Sequence, residues 1–156
     1  MSEIIIDHVG RKGDGVAFEN GQEVYVPFAL AGEHLEVSGS GPRRELSLVV
    51  KASEDRIDPV CKHFTICGGC QLQHMSADSY LSWKMTLLSE QLAKAGIELE
   101  PEPIVSFANQ SRRKVVFSAK QTSTGLLLGF QERAGNMVID IEECPVTIPA
   151  ITDRLD

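Results

Sequence analysis

A chain of 156 residues, 42% hydrophobic and 24% charged, holds enough apolar material for one domain or two small ones. It contains no apolar run of membrane-spanning length and begins on the polar Met1-Ser2-Glu3, so neither a membrane span nor a secretory leader is expected and a cytoplasmic setting is. A formal net charge of −7 excludes a uniformly basic nucleic-acid surface, which leaves any RNA contact to local basic patches.

The first 56 residues read as short strands punctuated by glycine. Residues 4–9, 16–18, 23–27, 34–37 and 46–50 are strand candidates, and Asn20-Gly21 is a two-residue hairpin signal. Five short strands at this spacing point to a small closed barrel of oligonucleotide-binding type, which removes exposed sheet edges by closure. Its basic residues sit at turns, Arg11 and Lys12 in the glycine loop and Arg43 with Arg44 after Gly41-Pro42. These are RNA-contact candidates, although solubility alone also places charges at surface turns.

Residues 57–75 form a cysteine-bearing loop, and a helix is expected from Ser76 to Ala95. Leu81, Met85, Leu88 and Leu92 make one apolar stripe, expected to pack on the core, and Gly96 stands where the helix would stop. Trp83 and Lys84 fall off that stripe; Trp83 is read as partly buried packing or as a base-stacking surface. Pro101 and Pro103 mark a linker, followed by a strand in which Val115, Phe117 and Ala119 alternate with Lys114, Val116, Ser118 and Lys120. Arg112, Arg113, Lys114 and Lys120 give this stretch four basic residues and no acid, which makes it the leading phosphate-contact candidate, a solvated strand face being the plainer alternative. Residues 126–130 and 137–141 read as a hairpin pair, with Cys144 just beyond. The fold class expected is α+β and mostly β: barrel (1–56), cluster loop (57–75), and an incomplete strand-rich central domain with one helix (76–156).

The chain has four cysteines, Cys61, Cys67, Cys70 and Cys144, which is the number one iron-sulfur cluster or one tetrahedral zinc requires. Five residues separate the first pair, two the second, and 73 lie before the last. Structural zinc sites usually come as two short pairs, whereas three close ligands and one remote one suit a [4Fe-4S] cluster, and Gly68-Gly69 lets backbone amides approach the sulfurs. Zinc held by the cysteines, or by three of them with His63 or His74, two disulfides, and free buried thiols remain as alternatives.

These residues also carry a family resemblance. Gly13-Asp14-Gly15-Val16-Ala17 and the run from Val24 to Glu33 look like a TRAM domain, an RNA-binding barrel. The string from Cys61 through Cys67-Gly68-Gly69-Cys70 to His74 resembles the cluster loop of the iron-sulfur-containing SAM-dependent RNA uracil-C5 methyltransferases. Gly129-Phe130 through Glu143-Cys144-Pro145 resembles that family's later segment. The resemblance implies a [4Fe-4S] cluster on Cys61, Cys67, Cys70 and Cys144, structural and RNA-positioning in role, in an enzyme that methylates uridine C5 in ribosomal or transfer RNA; a monomer is expected.

The reaction adds a cysteine thiolate to uracil C6, lets C5 attack the methyl group of SAM, and then removes the C5 proton. With four thiols on a cluster no nucleophile remains, and no glycine-rich strand-to-helix turn for SAM is present. The sequence therefore gives no catalytic residues, no SAM-binding residues and an expectation that the chain alone is inert, SAM belonging to a catalytic domain absent from it. A freestanding RNA-binding or redox-sensing iron-sulfur protein and a zinc-stabilised structural module are the alternative readings.

Overall fold

Alternating apolar and polar residues produce six strands in the first third of the chain: β1 (Ser2–Ile5), β2 (His8–Val9), β3 (Gly15–Glu19), β4 (Gln22–Val26), β5 (His34–Ser38) and β6 (Glu45–Lys51). The computed structural model describes residues 2–155. Its contacts divide the chain into two units, 2–58 with His74–Ile104 and Pro59–Gln73 with 105–155.

In the first unit the strands form two antiparallel three-stranded sheets, ordered β1-β5-β6 and β2-β3-β4. The expected single strand over residues 4–9 is in fact two strands in different sheets. Ile6 and Asp7 make the corner: Ile6 N–H donates to Glu33 O at 3.0 Å and its carbonyl accepts from Gly32 N–H at 2.8 Å, whereas Asp7 N–H donates to Val16 O at 2.8 Å. The chain changes partner within one residue, which a period-two pattern does not record. Elsewhere the two sheets join where Tyr25 donates to Pro42 O and accepts from Arg44 N–H, at 2.7 and 3.0 Å.

Both sheets cover one core of Ile4, Ile6, Ala17, Val24, Val26, Ala29, Leu35 and Val37, against which Leu46 and Val49 pack. Gly15 is required by close approach, since a Cβ there would lie 2.7 Å from Ala29 Cβ and 3.0 Å from Ile6 Cγ2. Asn20 and Gly21 both take positive φ, 52° and 76°, and turn β3 into β4 with Glu19 opposite Gln22, as the hairpin signal predicts.

Helix α1 (Ala77–Lys94) begins and ends where its caps dictate. The Ser76 hydroxyl accepts from Ser79 N–H at 3.3 Å. At the other end Gly96 N–H bonds to Ala93 O and Ile97 N–H to Leu92 O, the paired closure that a positive-φ glycine allows. The apolar stripe does not pack as expected: no residue of α1 is buried and Leu88 is 44% exposed. Off-stripe Trp83 holds the helix instead, donating Nε1–H to Val9 O at 3.0 Å.

The second unit carries one antiparallel sheet, β7 (Ser118–Thr122), β8 (Gly125–Gln131) and β9 (Val138–Asp140), in the order β7-β8-β9, and a short helix α2 (Pro149–Thr152). The hairpin expected from residues 126–130 and 137–141 is present, with Phe130 opposite Ile139. A Cβ on Gly129 would fall 2.0 Å from Ile139 O, so this register needs glycine there. The expected strand through Val115 and Phe117 does not form before Ser118. Arg112 takes a single parallel bridge to Thr147, and residues 113–117 lie in no strand.

Candidate metal centre

Two stretches far apart in sequence are sewn together by backbone bonds within the second unit. Gly68 N–H donates to Gln131 O at 3.0 Å and Arg133 N–H to Ile66 O at 2.8 Å, so residues 66–68 run beside the end of β8. Lys62 N–H donates to Glu143 Oε1 at 3.2 Å, and the Lys62 ammonium pairs with Glu142. The loop itself is tightened by Phe64 N–H to Cys61 O at 3.0 Å and Cys67 N–H to His63 O at 2.9 Å.

Cys144 starts a turn. Pro145 supplies the fixed φ favoured in its second position, and Thr147 N–H closes the turn onto Cys144 O at 2.9 Å. Residues 110–112 clamp it: Gln110 N–H donates to Pro145 O at 2.9 Å, Arg112 N–H to Val146 O at 3.0 Å, and Ile148 N–H to Arg112 O at 3.0 Å.

The outcome is that Cys61, Cys67, Cys70 and Cys144 line one cavity, with Phe64, Phe130 and Ile141 among its apolar walls. All four are half-buried free thiols. Burial pushes the Cys61 thiol above its ordinary value, a hydrogen bond from the His63 backbone opposes this, and Cys144, Cys70 and Glu143 push it further up. Cys67 is raised by burial too, with the Gly69 N–H opposing and Cys70 and Cys144 adding. Burial and neighbouring sulfurs thus disfavour the thiolates of Cys61 and Cys67, and a cationic metal core would relieve this. Among the described residues no three His, Cys, Asp or Glu side chains converge as one metal ion would need.

Donors already face the sulfurs. Gly69 N–H lies 3.4 Å from Cys67 Sγ, and the hydroxyl of Thr147, 1% exposed, donates to Cys144 Sγ at 3.1 Å. His63 lines the same cavity with Nε2 buried and without a hydrogen-bond partner among the described residues. The donor set, four thiols with an apolar wall and hydrogen-bond donors to sulfur, fits an iron-sulfur cluster.

The basic candidates separate. Arg11 and Lys12 are exposed on the β2–β3 turn and share one depression with Arg43, His8 and Tyr25, which brings together two turns that lie apart in sequence. Arg43 is also paired with Asp14, at 2.8 and 3.2 Å, and Arg44 with Glu19 at 3.0 Å. Arg112 lines the cysteine cavity; Arg113 and Lys114 are exposed in the strandless stretch, and Lys120 is exposed on β7.

No protein-family model matches the chain. An RNA methyltransferase of Brucella suis is 43% identical over 154 residues, which is 99% of this chain and 37% of that protein. The 23S rRNA (uracil(1939)-C(5))-methyltransferase RlmD of Francisella tularensis subsp. novicida is 34% identical over 167 residues, 98% of this chain and 37% of its own length. RlmD of Halomonas elongata is 35% identical over 162 residues, with 98% and 34% covered. These relatives are RNA methyltransferases by name. The resemblance to RNA uracil-C5 methyltransferases is thereby borne out, and the chain spans little more than a third of the length of the curated relatives it matches.

Sequence reasoning missed Thr147 and the place of Arg112. The string Cys144-Pro145-Val146-Thr147 does hold a signal, a proline turn with a hydroxyl three residues after a ligand candidate. Nothing local announces that Arg112 packs beside it.

Proposed function

We propose that this chain is the RNA-recognition and [4Fe-4S]-binding accessory portion of a cytoplasmic RNA uridine-C5 methyltransferase acting on ribosomal or transfer RNA. The observation that carries this reading is the meeting of Cys61, Cys67, Cys70 and Cys144 around one cavity despite their separation in sequence. Zinc sites are usually built from two short ligand pairs, whereas a cubane is readily held by three close cysteines and one remote one, the arrangement found here. Among the described residues the second unit buries only two hydrophobic side chains, Phe64 and Ile141, and a core that thin needs a staple. When bound, the cluster supplies a cross-link between 59–73 and the Cys144 turn, and with it folding free energy.

Methyl transfer belongs to parts of the protein outside these residues. With its four thiols on iron, the chain has no cysteine left to add to uracil C6. What it contributes is binding: Arg11 and Lys12, exposed at the rim of a depression whose third cation, Arg43, is already paired with Asp14, and the basic run from Arg112 to Lys120, present cations to phosphate on an otherwise acidic chain.

Iron and acid-labile sulfide analysis of anaerobically purified protein tests the first half. About four of each per chain is expected, with a brown colour. One equivalent of zinc in colourless protein overturns it. For the second half, affinity for a uridine-containing RNA hairpin should weaken in the Arg11→Ala, Lys12→Ala double variant; unchanged binding and salt dependence remove that surface from the reading.

A further inference from the structure

Behind the cysteine cavity, in the turn that carries Cys144, lies the hydroxyl of Thr147. It is 1% exposed, and a hydroxyl so buried must find a partner. It donates to a sulfur, Cys144 Sγ at 3.1 Å, rather than to a carbonyl. The backbone that carries that hydroxyl is fixed from both sides: its own N–H closes the turn onto Cys144 O, and the 110–112 segment holds the flanking Val146 and Ile148.

We propose that Thr147 is a positioning residue for the remote ligand, holding the rotamer of Cys144 and drawing electron density from its sulfur so that the reduced cluster is favoured. The inference rests on the [4Fe-4S] reading of the cavity. A hydrogen bond to a ligating thiolate stabilises the more negative, reduced state and raises the reduction potential, and groups that orient metal ligands typically change metal affinity or activity about 10- to 100-fold when removed. Backbone donors such as Gly69 N–H act in the same sense on Cys67 but are deleted only by proline, which alters the backbone as well. Thr147 is the donor that side-chain chemistry can switch off.

The test compares anaerobically purified wild type, Thr147→Val and Thr147→Ser. Valine keeps the shape and loses the hydroxyl; serine keeps the hydroxyl. Potentiometric titration with dithionite, followed by the visible absorbance of the cluster, should show the valine variant shifted about tenfold toward the oxidised state, which is about 59 mV more negative for one electron. Iron release to a chelator should quicken by about the same factor. Serine should restore both values toward wild type. Equal potentials and release rates in wild type and the valine variant overturn the proposal, as does a serine variant that behaves like valine. Should the valine variant not fold, Thr147→Ala against Thr147→Ser makes the same comparison. Iron and sulfide content of the wild type separates the two levels: its absence refutes the cluster reading and this inference together, while a normal cluster with an unmoved potential refutes this inference alone.

Discussion

Replacing Arg56 with alanine should unfold the first unit at far lower denaturant than wild type needs. Glu33 is 0% exposed and accepts four hydrogen bonds: from Leu30 N–H at 2.8 Å, Ser53 N–H at 3.3 Å, and Arg56 Nε and Nη2 at 2.5 and 2.7 Å. Arg56 also donates to Phe28 O at 2.7 Å and sits where Ile57 N–H meets His74 O, at the base from which the cysteine loop departs and returns. Removing the guanidinium strands a buried carboxylate with two backbone donors. Breaking a buried pair costs about 3–5 kcal/mol, and since the Arg56 side chain is 22% exposed the lower end, about 3 kcal/mol, applies. The pH dependence follows. Burial pushes the Glu33 carboxyl up, but hydrogen bonds from Arg56 and from the backbone of Leu30 and Ser53, with the Arg56 charge, hold it below the ordinary range. Its stabilising contribution is therefore complete above the unfolded value of about 4.3 and lost as pH falls through the lower folded value. In Arg56→Ala burial prevails, the carboxyl protonates readily, and the gap to wild type narrows as the medium is acidified. Urea titrations at pH 7 and pH 4, read by the fluorescence of Trp83, the one tryptophan, measure both. A loss under 1 kcal/mol at pH 7, or a gap that widens on acidification, refutes the argument.

Cys144→Ser should release the turn from the loop that ends at Cys70 in iron-loaded protein; closing the intervening 73 residues is worth about 4 kcal/mol, so an unchanged thermal transition would strike Cys144 from the ligand set. Gly129→Ala should cost about 2–3 kcal/mol, because its Cβ must displace the Ile139 carbonyl, and hydrogen exchange at Phe130 and Ile139 should accelerate; a wild-type exchange pattern would show that the hairpin register tolerates a side chain. Trp83→Phe deletes the bond to Val9 O and should lower stability by about 1 kcal/mol, measured by calorimetry, with no loss meaning that α1 is held by other contacts.

Much of this molecule is legible one segment at a time. The hairpin at Asn20-Gly21 and the limits of α1 follow from residues within a few positions of each other, where backbone sterics and capping act. The apolar stripe of α1 failed as a core predictor because periodicity shows that a helix has a preferred face without showing that anything covers it. Arg112 and its neighbours failed as a strand for a related reason: extended residues become a strand only when a second strand accepts their hydrogen bonds, and Arg112 finds just the Cys144 turn. Arg43 and Arg44 look free for phosphate in sequence, yet Asp14, just before β3, and Glu19, at its end, pair with them.

Composition and spacing alone supplied four thiols as a candidate ligand set, because the number and type of donors are properties of the chain. Whether those thiols meet was decided by the bonds from Gly68 to Gln131 and from Arg112 to Val146, which act between residues too distant in sequence for any local pattern to encode. The hydroxyl of Thr147 reaches the Cys144 sulfur within a local turn, but its burial there is tertiary, since the 110–112 segment clamps that turn.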